Sequence, residues 1–287
     1  MIAAHMSATV RLDLRKRVLV MGVVNVTPDS FSDGGKYFEG DKAYEHGMQL
    51  WRDGADILDV GGEATNPKAT AIDADEECRR VVPVIERLVK SGARVSVDTT
   101  KAAVARAAVK AGAKIVNDVS GGLFDTEMAK TIAGLDGVTY IAGHLRGKTI
   151  EEVFAKEPVG LAMLQRPITW REVAAELGER LAQLPAEARQ RTWVDPGVGF
   201  GKGADPDVNL SLLRDAGELS RAVGCPVVVG PSRKRFLKTL IGLEPDALTL
   251  DIASVAACLA AVRGGAQVLR VHNVALLRTA LAVYTKV

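Results

Sequence analysis

A single-domain (β/α)8 barrel is the fold that this 287-residue sequence predicts, and three observations carry the prediction. Short apolar runs recur along the whole chain. A helix-like segment follows each of them, which is the pattern of parallel βα units. There are eight such runs, and eight units in about 250 residues fit the closed TIM-barrel architecture. A doubly wound open sheet is the alternative arrangement of the same alternation.

The runs, in order, are RVLVMGVVN (17–25), DILDVGG (56–62), ARVSVDT (93–99), KIVNDVSG (114–121), VTYIAGH (138–144), RTWVDPG (191–197), PVVVGPS (226–232) and QVLRVHN (267–273). Amphipathic stretches at 41–54, 74–91, 101–112, 170–184, 207–224 and 249–265 predict helices between them. Several close on a glycine helix stop, at Gly54, Gly92, Gly112, Gly224 and Gly264. Residues 1–16 read as an N-terminal extension that frays outside a barrel domain spanning 17–287.

Composition narrows the function. The chain is 47% hydrophobic and 25% charged, as in an ordinary globular domain with a substantial core. Lys and Arg total 37 against 35 Asp and Glu, a net charge of +2, so nothing pulls the whole molecule toward nucleic acid or an anionic membrane. An anionic ligand would have to be caught by a local site. Cys78, Cys225 and Cys258 are far apart and lack CxxC spacing, which argues against zinc or a disulfide framework. No run approaches the roughly 20 apolar residues of a membrane helix, and the first segment lacks a signal core with a small-residue cleavage site. A cytoplasmic protein is the expectation.

Polar residues mark the strand ends: Asn25, Asp59, Asp98, Asn117 with Asp118, His144, Asp195, Ser232, and Arg270 with His272. Any one could be a cap or a satisfied core group. Together, at the C-terminal ends of barrel strands, they predict one polar mouth of the kind where barrel active sites are built. No Ser/His/Asp triad is evident.

The motifs MGVVNVTPDSFSDGG, DVGGEATNP, VSVDT, VNDVSGG, DPGVGFGK, SRKRFL and RVHN, in this order, resemble the bacterial dihydropteroate synthases, the folate-pathway enzymes on which sulfonamides act. The resemblance runs from about Arg17 to the C-terminus. It implies a (β/α)8 barrel, commonly a homodimer, that joins 6-hydroxymethyl-7,8-dihydropterin diphosphate to 4-aminobenzoate with the help of Mg²⁺. Carried over residue by residue, it implies that Asp195 accepts from the 2-amino group and a ring N–H of the pterin, with Asn117 and Asp98 serving the remaining ring positions. Lys234 would face the pterin carbonyl and Arg270 the ring face, and Phe200 would add a substrate contact. Arg270 and His272, with Asn25, would hold the diphosphate, and Asn25 would also be the Mg²⁺ ligand. Phe31, Thr65, Pro67 and Ser232 match contacts to the second substrate, on loops whose Gly34-Gly35 and Gly61-Gly62 pairs can absorb backbone change.

Three departures stand out against that pattern. Asn66 replaces an arginine that helps hold diphosphate and the carboxylate-bearing ring, and Lys68 keeps a charge without the planar fork. Gly143-His144-Leu145 stands where Met-His-Met is common, and His272-Asn273 where His-Asp is commoner. Residues 149–167 match no family feature. The altered loop leaves open a non-catalytic or altered-specificity pterin-binding paralogue. A methyltetrahydrofolate-type methyltransferase barrel is a further alternative, although it has no use for SRKRF and RVHN.

Overall fold

The computed structural model describes residues 17–27, 36–63, 71–155, 168–202, 205–242 and 244–287. Eight parallel strands form its centre: β1 (Leu19–Asn25), β2 (Ile57–Gly61), β3 (Val95–Asp98), β4 (Ile115–Asp118), β5 (Thr139–Gly143), β6 (Thr192–Asp195), β7 (Val228–Val229) and β8 (Val268–Val271). They pair in the order β6-β5-β4-β3-β2-β1-β8-β7. A parallel bridge between Val194 and Val227, with the Val194 N–H bonded to the Pro226 carbonyl at 2.9 Å, joins the two edges. The sheet is therefore a closed barrel and the doubly wound arrangement is excluded. At two residues β7 is the shortest strand. Pro226 and Pro231 flank it, and neither can donate to the ladder.

Helices surround the barrel. They are α1 (Lys36–Arg52), α2 (Ala74–Lys90), α3 (Ala102–Lys110), α4 (Met128–Ala133), α5 (Ile150–Ala155), α6 (Trp170–Ala182), α7 (Ala186–Arg189), α8 (Pro206–Arg214), α9 (Ala216–Val223), α10 (Arg235–Ile241), α11 (Ala247–Arg263) and α12 (Val274–Tyr284). Local signals start several of them. Asp73 accepts the Glu76 N–H at 2.7 Å, Thr169 and Glu172 form a capping box, and Asp246 accepts the Thr249 N–H at 2.7 Å.

The stretch 207–224, which reads as one helix, is two. The chain breaks at Asp215, where the Gly217 N–H turns to the Gly264 carbonyl at 2.6 Å. A long-range contact therefore overrides the local periodicity. Gly54, Gly92, Gly112 and Gly224 are left-handed, as helix stops require, but at the end of α11 the left-handed residue is Gly265. Gly264 answers a different need, because a Cβ there would lie 2.1 Å from the Leu213 carbonyl oxygen.

Two apolar layers hold the fold. Outward strand residues such as Val20, Leu58, Val97, Val116, Val194 and Leu269 pack with the inner faces of the helices. Inside the barrel, Leu19, Met21, Ile57, Ile115, Ile141, Trp193, Val228 and Val268 form a separate buried cluster. Burying an aliphatic side chain of this size contributes about 1.5–3 kcal/mol.

Candidate active site

Side chains alternate along a strand, so the residue two places after an inward one is also inward, one layer nearer the C-terminal mouth. Each apolar floor residue thereby sets its successor. Ile57 is followed by Asp59, Ile115 by Asn117, Ile141 by Gly143, Trp193 by Asp195, Val228 by Gly230 and Val268 by Arg270. These positions, apart from the fully buried Asp59, line a pocket together with Asp98, Phe200 and Lys234. It is a small cleft, partly open to solvent. Six residues expected from the motifs thus meet in one cavity: Asp98, Asn117, Asp195, Phe200, Lys234 and Arg270.

Arg270 sits between two carboxylates. Its Nε donates to Asp59 Oδ2 at 2.6 Å and its Nη2 to Asp98 Oδ2 at 2.6 Å. Asp59 Oδ2 also accepts from Asn117 Nδ2 at 3.0 Å. The carboxylate requires a donor, which fixes the amide and turns Asn117 Oδ1 away from Asp59 as an acceptor. Burial lowers the pKa of the Arg270 guanidinium, but Asp59 and Asp98 outweigh it and hold the charge more firmly than usual. Burial pushes the Asp98 carboxyl up to about 7; Arg270 opposes the rise, while Asp59 and Glu77 add to it. Asp59 is fully buried and its Oδ1 has no partner.

The DPGVGFGK segment forms the opposite wall. Asp195 Oδ1 accepts the Gly197 N–H at 2.7 Å, and burial raises its carboxyl above the usual range despite that bond. Lys234 Nζ lies 5.4 Å from the centre of the Phe200 ring, within cation–π reach. Gly199, at φ 68°, is required there, since a Cβ would stand 2.6 Å from Lys234 Cβ. Behind the turn, the buried ammonium of Lys202 donates to the carbonyls of His144 at 3.0 Å and Phe200 at 3.4 Å. Burial pushes that ammonium down to about 7.

Ser232 and His272 form a pair beside the pocket rather than in its wall. Ser232 Oγ accepts the His272 backbone N–H at 3.3 Å and lies 3.0 Å from Nδ1. This bond holds the imidazole in place, with the Ser232 hydroxyl or Nδ1 as the donor according to the tautomer. Burial pushes the imidazole down to about 4, with Arg270, Arg233 and Lys234 reinforcing the shift. His272 is thus a neutral donor, not a second cation. Asn25 is the exposed end of an otherwise buried β1. Phe31, Thr65, Pro67, Asn66 and Lys68 lie outside the described residues, as do Gly34-Gly35 and 156–167.

Several expectations are corrected. Asp118 and His144 do not face the mouth. Asp118 accepts from Tyr140 Oη at 2.8 Å and from Ser120 and Gly122, and His144 Nε2 meets Glu176 of α6 at 3.0 Å, both outside the barrel. Gly61-Gly62 has a packing role as well. Gly61 is paired in the sheet, and a Cβ on Gly62 would lie 2.8 Å from Val81 of α2. Ser232 bonds His272, and Arg270 is held by Asp59 and Asp98. The sequence places Asp59 at the mouth without a particular role and does not single out Lys202 beyond its motif. The phase of Asp59 with Ile57 was a usable signal for the first; nothing local marks the second.

The fold and site define a (β/α)8 barrel whose mouth pocket sets carboxylate and amide acceptors beside two cations. The pterin binding enzyme family matches residues 21–272. The Bacillus subtilis dihydropteroate synthase is 39% identical over 264 residues, covering 92% of this chain and 86% of that protein. The Xanthomonas albilineans dihydropteroate synthase solved with 4-aminobenzoic acid superimposes with a TM-score of 0.81 at 41% identity, over 96% of this chain and 94% of that one. An Arabidopsis thaliana folate synthesis bifunctional protein is 39% identical over 277 residues, which is 91% of this chain and 55% of that protein. The chain spans about half the length of the plant bifunctional proteins it matches. It belongs to the pterin-binding enzyme family, among the dihydropteroate synthases.

Proposed function

We propose that this chain performs the synthase reaction itself, joining 6-hydroxymethyl-7,8-dihydropterin diphosphate to 4-aminobenzoate to give 7,8-dihydropteroate and diphosphate. One observation carries the reading: Asp98, Asn117 and Asp195 bring three acceptors to a single pocket that also holds Lys234 and Arg270. Asp195 suits the 2-amino and ring N–H edge, where charge-assisted bonds contribute about 1.5–3 kcal/mol each. Lys234 suits the ring carbonyl.

The amine nitrogen bonds to the pterin methylene carbon, diphosphate leaves with the C–O electron pair, and the surplus amine proton passes to solvent. The departing charge needs donors in place beforehand. Arg270, which uses two of its N–H groups on Asp59 and Asp98, and the imidazole of His272 are the groups at hand to supply them. No strong base is required for a weakly basic arylamine attacking a stabilised cation, and the depressed imidazole of His272 fits a donor better than a base.

The donor chemistry at Asn25 fits Mg²⁺. A lone neutral amide oxygen suits a hard cation that keeps waters and takes its remaining ligands from phosphate. Among the described residues no group of three or more His, Cys, Asp or Glu could hold a metal alone, so the diphosphate would complete the site. When bound, the ion supplies Lewis-acid stabilisation of the leaving oxygens.

The decisive measurement is diphosphate release from the pterin diphosphate with and without 4-aminobenzoate and Mg²⁺. Turnover that depends on both supports the synthase; tight pterin binding without such turnover supports a non-catalytic paralogue. Asp195→Ala should abolish pterin binding in a folded protein, and Asn66→Arg should change 4-aminobenzoate or sulfonamide affinity while leaving pterin affinity alone.

A homodimer is supported by α11, where Leu248 and Ile252 are more than half exposed, as is Leu240 of α10. Ile252→Glu should convert a dimer to a monomer in sedimentation. No helix among the described residues is long and apolar enough to cross a membrane, which agrees with a cytoplasmic enzyme; fractionation of cells tests it.

A further inference from the structure

Among the described residues Arg233 is the single non-glycine with a positive φ, at 59°. A long side chain rarely adopts this conformation unless its surroundings impose it, and such residues cluster at functional sites. Arg233 stands between Ser232, which bonds His272, and Lys234, which lies on Gly199 beside Phe200.

Three bonds hold it, all from α11. The Arg233 N–H donates to Ser254 Oγ at 3.0 Å, Nε to Asp251 Oδ1 at 2.7 Å, and Nη2 to Asp251 Oδ2 at 3.0 Å. Asp251 Oδ2 also accepts from Asn273 Nδ2 at 3.0 Å. Asn273 follows His272 and caps α12 by accepting the Leu276 N–H at 3.1 Å. One carboxylate, 5% exposed and outside the barrel, therefore grips the immediate neighbours of both Lys234 and His272. The departure at Asn273 has a reason here: its amide can donate to Asp251, which an aspartate could not.

We propose that Asp251 is a positioning residue for the pterin diphosphate site. Its bidentate fork keeps Arg233 left-handed, which aims Lys234 at the pocket and Ser232 at His272, and its bond to Asn273 steadies the end of β8. The inference rests on the roles given above to Lys234 and His272.

Isothermal titration with the pterin diphosphate reads the effect without turnover, and a melting curve reports the fold. Asp251→Ala is expected to weaken the Kd about tenfold, as small displacements of binding groups do. Arg233→Gly in the same background should restore most of that loss, because glycine holds a positive φ without a tether. If Asp251→Ala does not fold, Asp251→Asn, alone and with Arg233→Gly, takes its place. A wild-type Kd in a folded single variant, or a double variant as weak as the single, overturns the proposal. A wild-type chain that binds the ligand but never turns it over overturns the synthase reading and leaves this comparison intact.

Discussion

Asp59 Oδ2 accepts from Arg270 Nε at 2.6 Å and from Asn117 Nδ2 at 3.0 Å, so one fully buried oxygen orients both the guanidinium and the amide of the pocket. Asp59→Ala would leave the part-buried Arg270 with Asp98 alone of its two carboxylate partners and remove a fully buried charge it now balances. Breaking a buried ion pair from one side costs about 3–5 kcal/mol, and urea denaturation should show a loss of that order. Asp59→Asn keeps the shape but lets the Asn117 amide turn over, and should weaken pterin binding about tenfold, the equivalent of one lost hydrogen bond.

The pH dependence should follow Asp98. Burial pushes its carboxyl up to about 7 in the free protein, and the ionised form accepts a pterin N–H more strongly than the protonated one. The protonated form grows as pH falls through that value, so pterin affinity should be full on the alkaline side and decline about tenfold per unit well below 7. Asp98→Asn should bind weakly and flatten the profile. His272, already neutral with its imidazole near 4, should add no limb between about pH 5 and 8. Titration calorimetry at stepped pH separates the two.

Gly199→Ala combines two faults. The backbone is left-handed, and the new methyl carbon would lie 2.6 Å from Lys234 Cβ. A stability loss of about 1–3 kcal/mol is expected, together with weaker pterin binding as Lys234 is displaced. A variant that lost stability without any change in pterin affinity would mean that Lys234 is not held by this turn.

Lys101 joins two carboxylates near the second loop. Its Nζ lies 2.8 Å from Glu63 Oε2 and 2.6 Å from Glu77 Oε2, while Glu63 Oε1 accepts the Ile72 N–H at 2.9 Å. Glu77 is buried and its Oε1 has no partner, so it depends on this lysine. Lys101→Ala should cost about 3 kcal/mol or more by chemical denaturation, and Lys101→Arg clearly less.

The alternation of strands and helices was legible in the sequence, because a period of two residues or of 3.6 is a property of the local backbone. So were the groups available at the mouth. Asp98, Asn117, Asp195, Lys234 and Arg270 were identifiable from their motifs, and the phase of Ile115 with Asn117 already separates Asn117 from the outward Asp118. Which group meets which depends on the closed barrel. Arg270 reaches Asp59 across 211 residues of chain because closure sets β8 beside β1 and β1 beside β2. Residues 207–224 break into two helices because Gly217 packs on Gly264 and Gly265, and Arg233 is left-handed because a carboxylate on a distant helix holds it there. A window of sequence records what each residue can do, whereas partners, and with them charge and orientation, depend on contacts that exist only once the barrel has closed.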